Sequence, residues 1–173
     1  MMNFKFLLAA ICLPVLISAQ NKDSLTTPDQ VMKAFYQCLD VPKGKQIDST
    51  RFMNLFWPGT KLEGIAPSRK DTTLVTNFSI TPQEYLRGMK GFTATHRFKE
   101  WETGRKTISF GHMMTVYSSY ELIDVHPRGD TTHITGVNVF HLMYDNQRWW
   151  ITYCTYEEKD PGVITIPAEI KQQ

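Results

Sequence analysis

The sequence predicts an α+β fold, with about three helices in the N-terminal half and an antiparallel sheet in the remainder. Two observations predict it. A helix-start pattern of threonine, proline and, three residues after the threonine, glutamine or glutamate occurs at Thr27-Pro28-Asp29-Gln30 and again at Thr81-Pro82-Gln83-Glu84. From Thr95 onward the chain changes to aromatic and β-branched runs separated by turn residues.

The first helix opens at Thr27, and Val31, Ala34, Phe35 and Cys38 recur at helical spacing on one apolar face. Pro42 and Gly44 end it. A shorter helix starts near Asp48 and groups Phe52, Leu55 and Phe56 before Pro58-Gly59. Strand-like pieces follow at Leu62–Ile65 and Thr73–Phe78. The third helix opens at Thr81, and Gly91 closes it. Four strands are then expected over His96–Thr103, Thr107–Ile123, Thr132–Tyr144 and Trp149–Glu158. Their connections are Gly104-Arg105, Pro127-Arg128-Gly129-Asp130 and Asp145-Asn146-Gln147-Arg148, short enough for an antiparallel meander.

Residues 1–19 read as a signal peptide: Lys5 precedes an apolar run from Phe6 to Ile17, and Ala19 offers a small residue for cleavage. The run is too short for a membrane span and contains Pro14. Cys12 sits inside it behind Ile11, which does not suit lipid attachment. A periplasmic or secreted location is therefore expected, with no membrane association after cleavage. Residues 20–26 read as a flexible N-terminus, 27–160 as one domain and 161–173 as a C-terminal tail. Of 19 basic and 17 acidic side chains, only Lys5 leaves with the signal. That near balance, without a basic cluster, excludes nucleic acid as the main partner. Cys38 and Cys154 are too few for a disulfide scaffold. Opposite strand and helix facings predict free thiols.

Strand alternation assigns the faces. Ile108, Phe110, His112, Met114, Val116, Ser118, Tyr120 and Leu122 form the more apolar face, expected to look toward the helices. In the next strand Ile134, Gly136, Asn138, Phe140, Leu142 and Tyr144 share one face. Val137, Val139, His141 and Met143 make the opposite face apolar as well, which predicts a subunit contact and a homodimer.

The segments Phe110-Gly111-His112, Val116-Tyr117-Ser118-Ser119-Tyr120, Gly136-Val137-Asn138-Val139-Phe140 and Asp145-Asn146-Gln147-Arg148-Trp149-Trp150-Ile151, in this order and spacing, resemble the nuclear transport factor 2-like superfamily and its SnoaL-like branch. The resemblance runs from the Val31–Leu39 helix to Glu157. It implies a cone-shaped, cystatin-like roll: a strongly curved antiparallel sheet wrapped around three helices, with a pocket at the open end. The superfamily includes ketosteroid isomerases, polyketide cyclases, scytalone dehydratases and epoxide hydrolases, and also proteins that only bind, so the fold leaves function open.

Within such a pocket His112, Asn138 and Tyr153 are expected to converge, surrounded by Phe110, Met114, Phe140 and Trp149. An inward His112 can act as a general base, or be a core histidine bonded to a carbonyl, and the second is favoured. His96 can pair with Glu100 at the pocket mouth if their face is inward. The favoured reading places them on an outward, solvated face. Asn138 can orient a ligand carbonyl or hydroxyl, or bond Tyr120 or Tyr153. No Asp or Glu falls on the assigned inner faces between Thr107 and Tyr144, which weakens an enzyme reading. There is no phosphate-binding glycine loop, no nucleophile elbow and no histidine pair at metal spacing, so neither a cofactor nor a metal is expected. The favoured function is an exported domain binding a small, largely apolar molecule. The alternatives are a cyclase, isomerase or dehydratase-type enzyme with a pocket histidine as base, and an interaction module acting through the sheet face.

Overall fold

The structure is a computed structural model that describes residues 23–67, 74–158 and 165–170. The expected signal peptide, and residues 159–164 and 171–173 beyond the last strand, lie outside the described residues.

Helix α1 spans Pro28–Cys38, and its capping box is complete. Thr27 Oγ1 accepts from Gln30 N at 3.3 Å while Gln30 Oε1 accepts from Thr27 N at 3.0 Å, satisfying two donors that a helix start otherwise leaves free. Strand β1 (Asp40–Val41) follows, and Asp48 then caps α2 (Ser49–Met53). That helix stops sooner than the apolar spacing suggests, but Phe52, Leu55 and Phe56 are all buried as expected. Strands β2 (Leu62–Pro67) and β3 (Val75–Ile80) form an antiparallel pair. Helix α3 (Pro82–Thr93) repeats the capping box through Thr81 and Glu84. It runs past Gly91, whose φ is not left-handed, so that glycine lies within the last turn and does not cap it.

Four long strands complete the chain: β4 (Arg97–Phe110), β5 (Met113–Val125), β6 (Thr131–Tyr144) and β7 (Trp149–Glu158). The sheet order is β1-β4-β5-β6-β7-β2-β3, and the curved, unclosed sheet wraps the helices as the predicted α+β cone. One feature is added to the antiparallel meander. Strand β2 runs parallel to β7, from Leu62 opposite Cys154 to Ile65 opposite Glu157, so the sheet is mixed.

The first hairpin is not where turn chemistry suggested. Gly104-Arg105 does not turn; β4 passes through with a bulge between Glu102 and Gly104. The chain reverses at Gly111-His112, with Phe110 opposite Met113 and Gly111 at φ +56°. Positive φ at the first central residue is what a type II′ hairpin turn needs, and glycine adopts it without strain. The other two turns lie where expected, with Gly129 at φ +96° and Asn146 at φ +72°. Asp145 Oδ1 accepts from Gln147 N and Arg148 N and closes the last one.

A second bulge sets the facing of β7. His141 pairs with Tyr153 but Leu142 pairs with Ile151, so Thr152 is the extra residue. Past a one-residue bulge every side chain changes face. Ile151 and Cys154 are therefore both buried, and Tyr153 lies on the outer face. Cys38 and Cys154 are free, as expected, although Cys154 points inward where strand alternation placed it outward.

The described residues on either side of the domain's regular elements are held to it. Leu25 is fully buried and its carbonyl accepts from Trp149 N, while Asp23 takes a bidentate contact from Arg51. These two residues belong to the stretch expected to be flexible. A 3₁₀ turn at Ala168–Ile170 packs against β4 and β5 and buries Ile170, whose carbonyl accepts from Ser119 Oγ. No helix among the described residues is long and apolar enough to cross a membrane.

Candidate functional site

Between the helices and the concave sheet face lies a cavity of about 480 Å³, within the range of small-molecule sites. Phe35 of α1, Phe52 of α2 and Tyr85, Met89 and Phe92 of α3 supply one wall. The sheet supplies Phe98, Glu100, Tyr120, Leu122, Asn138 and Tyr156 on the other. Two glycines make room for aromatic rings in that wall. A Cβ on Gly136 would sit 2.5 Å from the Tyr120 hydroxyl, and one on Gly64 would sit 2.4 Å from the Phe78 ring.

Glu100 is the central polar group. It is 9% exposed and lines the cavity beside Phe98, on the face of β4 that sequence patterning assigned to solvent. Burial penalises its charged form and raises its pKa to about 7; the Asn138 hydrogen bond opposes this and nearby Glu158 adds to it. Asn138 Nδ2 donates to Glu100 Oε1 at 2.9 Å, and nothing among the described residues bonds Oε2.

Asn138 also starts a relay away from the cavity. Its Nδ2 donates to Tyr36 Oη at 3.1 Å, and Tyr36 Oη lies 2.7 Å from Ser118 Oγ. Ser118 donates to Glu102, which is clasped by Arg105, which in turn reaches Asp29. Because Ser118 gives its proton to a carboxylate, Tyr36 must donate to Ser118 and accept from Asn138. Every bond in the relay then has one donor and one acceptor. The phenol stays neutral, with its pKa raised by burial and then by Glu100.

Of the side chains expected to converge in the pocket, Asn138 alone lines it. Its partners are Glu100 and Tyr36, neither of which was among those expected. His112 is exposed in the β4–β5 turn, with its ring 5.7 Å from that of Tyr144. The expected continuous strand is in fact a hairpin, and that places His112 outside the cavity. Phe110, beside it, is 82% exposed. Met114 and Trp149 pack against the core as half-buried residues, and Phe140 is fully buried against Phe35 at 4.9 Å. None of these three lines the cavity. Tyr153 is turned outward by the Thr152 bulge and donates to Glu63.

Between Thr107 and Tyr144 the expectation of an inner face without carboxylates is overturned by Asp124, which lines the cavity together with Glu100 and Glu158 from outside that span. Turn chemistry puts Asp124 at a strand end, but β5 runs to Val125 and Asp124 lies opposite the buried Phe98. Glu158 faces inward because of the Thr152 bulge, and burial raises its pKa. His96 stands at the rim. Its ring stacks on Phe92 at 4.3 Å and lies 5.3 Å from that of His126, and it does not pair with Glu100.

No protein-family model matches the chain, and no curated protein matches it at a significant level. Solved structures do. A nuclear transport factor 2-like superfamily protein from Salmonella enterica serovar Typhimurium superposes with a TM-score of 0.54 at 16% identity, covering 80% of this chain and 96% of that one. A provisionally assigned dehydratase of the same family from Streptomyces avermitilis gives 0.57 at 12% identity, covering 76% and 94%. A cystatin-like protein of unknown function from Nostoc punctiforme gives 0.53 at 14%, covering 78% and 89%. The chain has the nuclear transport factor 2-like, cystatin-like fold.

Proposed function

We propose that this is an exported domain that holds a small, largely apolar molecule with one polar group in its cone, and moves a proton on that molecule through Glu100. The observation that carries the reading is the Glu100 carboxyl, buried in an apolar cavity with Oε1 held by Asn138 and Oε2 without a described partner. A carboxyl with a pKa of about 7 is divided between its two forms at neutral pH and can act as acid or base. Asn138 fixes its orientation. The aromatic walls provide the apolar contact. The base assigned here is a carboxylate, in place of the histidine that the sequence suggested. Isomerisation or dehydration next to a carbonyl is the reaction class that suits one such group in a largely apolar site.

The test is hydrogen–deuterium exchange at the carbon beside the carbonyl of small apolar ketones, followed by NMR in D₂O. Ketones that bind should exchange faster with the wild type. Glu100→Gln should bind them equally and slow the exchange by about 10²–10⁴-fold. Binding without catalysed exchange in the wild type would leave a pure binding protein. Failure to bind any of a broad apolar panel would end both readings.

A further inference from the structure

We propose that His96, Asp124 and His126 form a binding site for a divalent first-row transition ion at the rim of the cavity. Coordination would remain open toward the cavity for an oxygen of the molecule held there.

The three residues are brought together by strand register, which sequence spacing does not show. Arg97 pairs with Val125 and Phe98 with Asp124, so His96 falls opposite His126 one step beyond the ladder. His96 has the inward parity of Phe98, and His126 that of Asp124. The two imidazoles and the carboxylate thus gather on the concave face at one end of β4 and β5, diagonal neighbours in the sense of an antiparallel pair. One donor atom from each lies within 4.8 Å of the others. His126 Nε2 and Asp124 Oδ2 are 3.5 Å apart. Ligands about 2.0–2.2 Å from one tetrahedral ion are separated by about 3.4 Å, so this pair already stands at ligand spacing. The third donor has to close by about 1.5 Å at most, within reach of side-chain rotation.

Two further observations point to a cation. Asp124 Oδ1 is sealed from solvent and has no hydrogen-bond partner. A plain His–Asp ion pair through Oδ2 leaves that oxygen unsatisfied, at a cost of about 1–3 kcal/mol or more for a charged group. A metal ion bound by both carboxylate oxygens would satisfy it. His96 also has the support usual for a ligating histidine: Nδ1 lies 3.1 Å from the Phe92 carbonyl, and the ring stacks on Phe92. Donation from Nδ1 to that carbonyl leaves the Nε2 lone pair free for a metal. The Thr132 hydroxyl, 2.8 Å from His126 Nε2, is the group an ion would displace or sit beside. Two imidazoles and one carboxylate suit Zn²⁺ or Fe²⁺ and give too few oxygens for Ca²⁺ or Mg²⁺. Three protein ligands leave at least one position open, and Asp124 itself lines the cavity.

Zn²⁺ is the probe, titrated into chelator-treated protein against a chromophoric competitor, with Co²⁺ giving the visible spectrum of the site. One Zn²⁺ per chain is expected. His126→Ala, which removes a ligand, and Asp124→Asn, which removes the ligand's charge and one of its oxygens, should each weaken it by about 100-fold. The His126 side chain is 34% exposed, so its loss leaves the fold intact if Asp124→Asn does not. His112→Asn, in the distant hairpin turn, should change nothing. Glu100→Gln should also leave the affinity unchanged, which separates this site from the proton-transfer reading. Absence of stoichiometric Zn²⁺ in the wild type, or equal binding by wild type and His126→Ala, would overturn the proposal.

Discussion

Asn138 on β6 reaches across β5 to Glu100 on β4, with Nδ2 and Oε1 2.9 Å apart on the concave face of the sheet. This contact makes a buried carboxyl tolerable. The amide offers the one hydrogen bond that favours the charged form, against burial that favours the neutral one.

Glu100 should therefore make stability depend on pH in a stated direction. Its folded pKa is raised from 4.5 to about 7, so between these values the folded state binds more protons than the unfolded. Stability from this group is complete below about pH 4.5, falls as pH rises, and levels off above about pH 7. A shift of that size is worth about 3 kcal/mol. Glu158, also raised by burial, acts in the same direction. Chemical denaturation at about pH 4 and pH 8 isolates Glu100: relative to the wild type, Glu100→Gln should gain stability between the lower pH and the higher one. The same difference at both would show that the carboxyl titrates normally.

Replacing Asn138 by alanine removes the donor to Glu100 and to Tyr36 together. The expected loss is about 1–3 kcal/mol, from acceptors left unsatisfied in a buried site. The same change should move the Glu100 titration upward, since the amide is the group that lowers it. Carbon-13 NMR of the labelled carboxyl measures this. An unchanged or lower midpoint would mean that Asn138 does not orient the carboxyl.

The helices were legible because their signals are local. A capping box and its proline lie within four residues, and both boxes form as written at Thr27 and Thr81. The sheet was legible in composition but not in facing. The apolar run continues on both sides of Gly111-His112 and so reads as one long strand, but a two-residue turn inverts the alternation and puts Phe110 and Met113 together on the outer face. A single extra residue, Thr152, leaves the aromatic run of β7 unbroken yet turns Tyr153 out and Glu158 in. Glu100 was hidden for another reason: charged residues at alternate positions imitate a solvated face. Its neighbour Phe98, at the same parity and buried, was the available sign that this face is inward. The rim cluster of His96, Asp124 and His126 depends on register between two strands, which spacing along the chain does not carry.

Glycine substitutions should separate packing from conformational freedom. A Cβ at Gly136 would sit 2.4 Å from the Glu157 carbonyl oxygen as well as against Tyr120, and neither the backbone nor the packed ring can give way cheaply. Gly136→Ala should destabilise by about 1–3 kcal/mol and reshape the cavity wall. Gly88 and Gly91 lie in α3 with open space around them, so alanine there should stabilise by up to about 1 kcal/mol. Gly91→Ala is the sharper of the two. If that glycine capped the helix in a left-handed conformation, the change would destabilise.

The last prediction concerns the outer surface, where we propose a homodimer. Ile108 and Met113 are each 59% exposed and Phe110 is 82% exposed, and they line a shallow apolar groove that continues to Met143. This extends the strip of Val137, Val139 and Met143 toward the hairpin tip. Ile170 covers the sheet near Ser119 with the chain's own C-terminal turn, and the apolar tip is left outside that cover. Large side chains held in water on a two-residue hairpin are the kind of anchor that a two-fold contact buries. Phe110→Asp places a charge at that contact and should weaken a dimer by about 100-fold, as an anchor worth 2–3 kcal/mol requires. Val139→Asp, on the half-buried part of the strip, should act in the same direction. Sedimentation equilibrium on wild type and both variants decides the matter. Ligand binding in the cone should survive Phe110→Asp, because Phe110 lies outside the cavity. A wild type that stays monomeric at high concentration would remove the dimer.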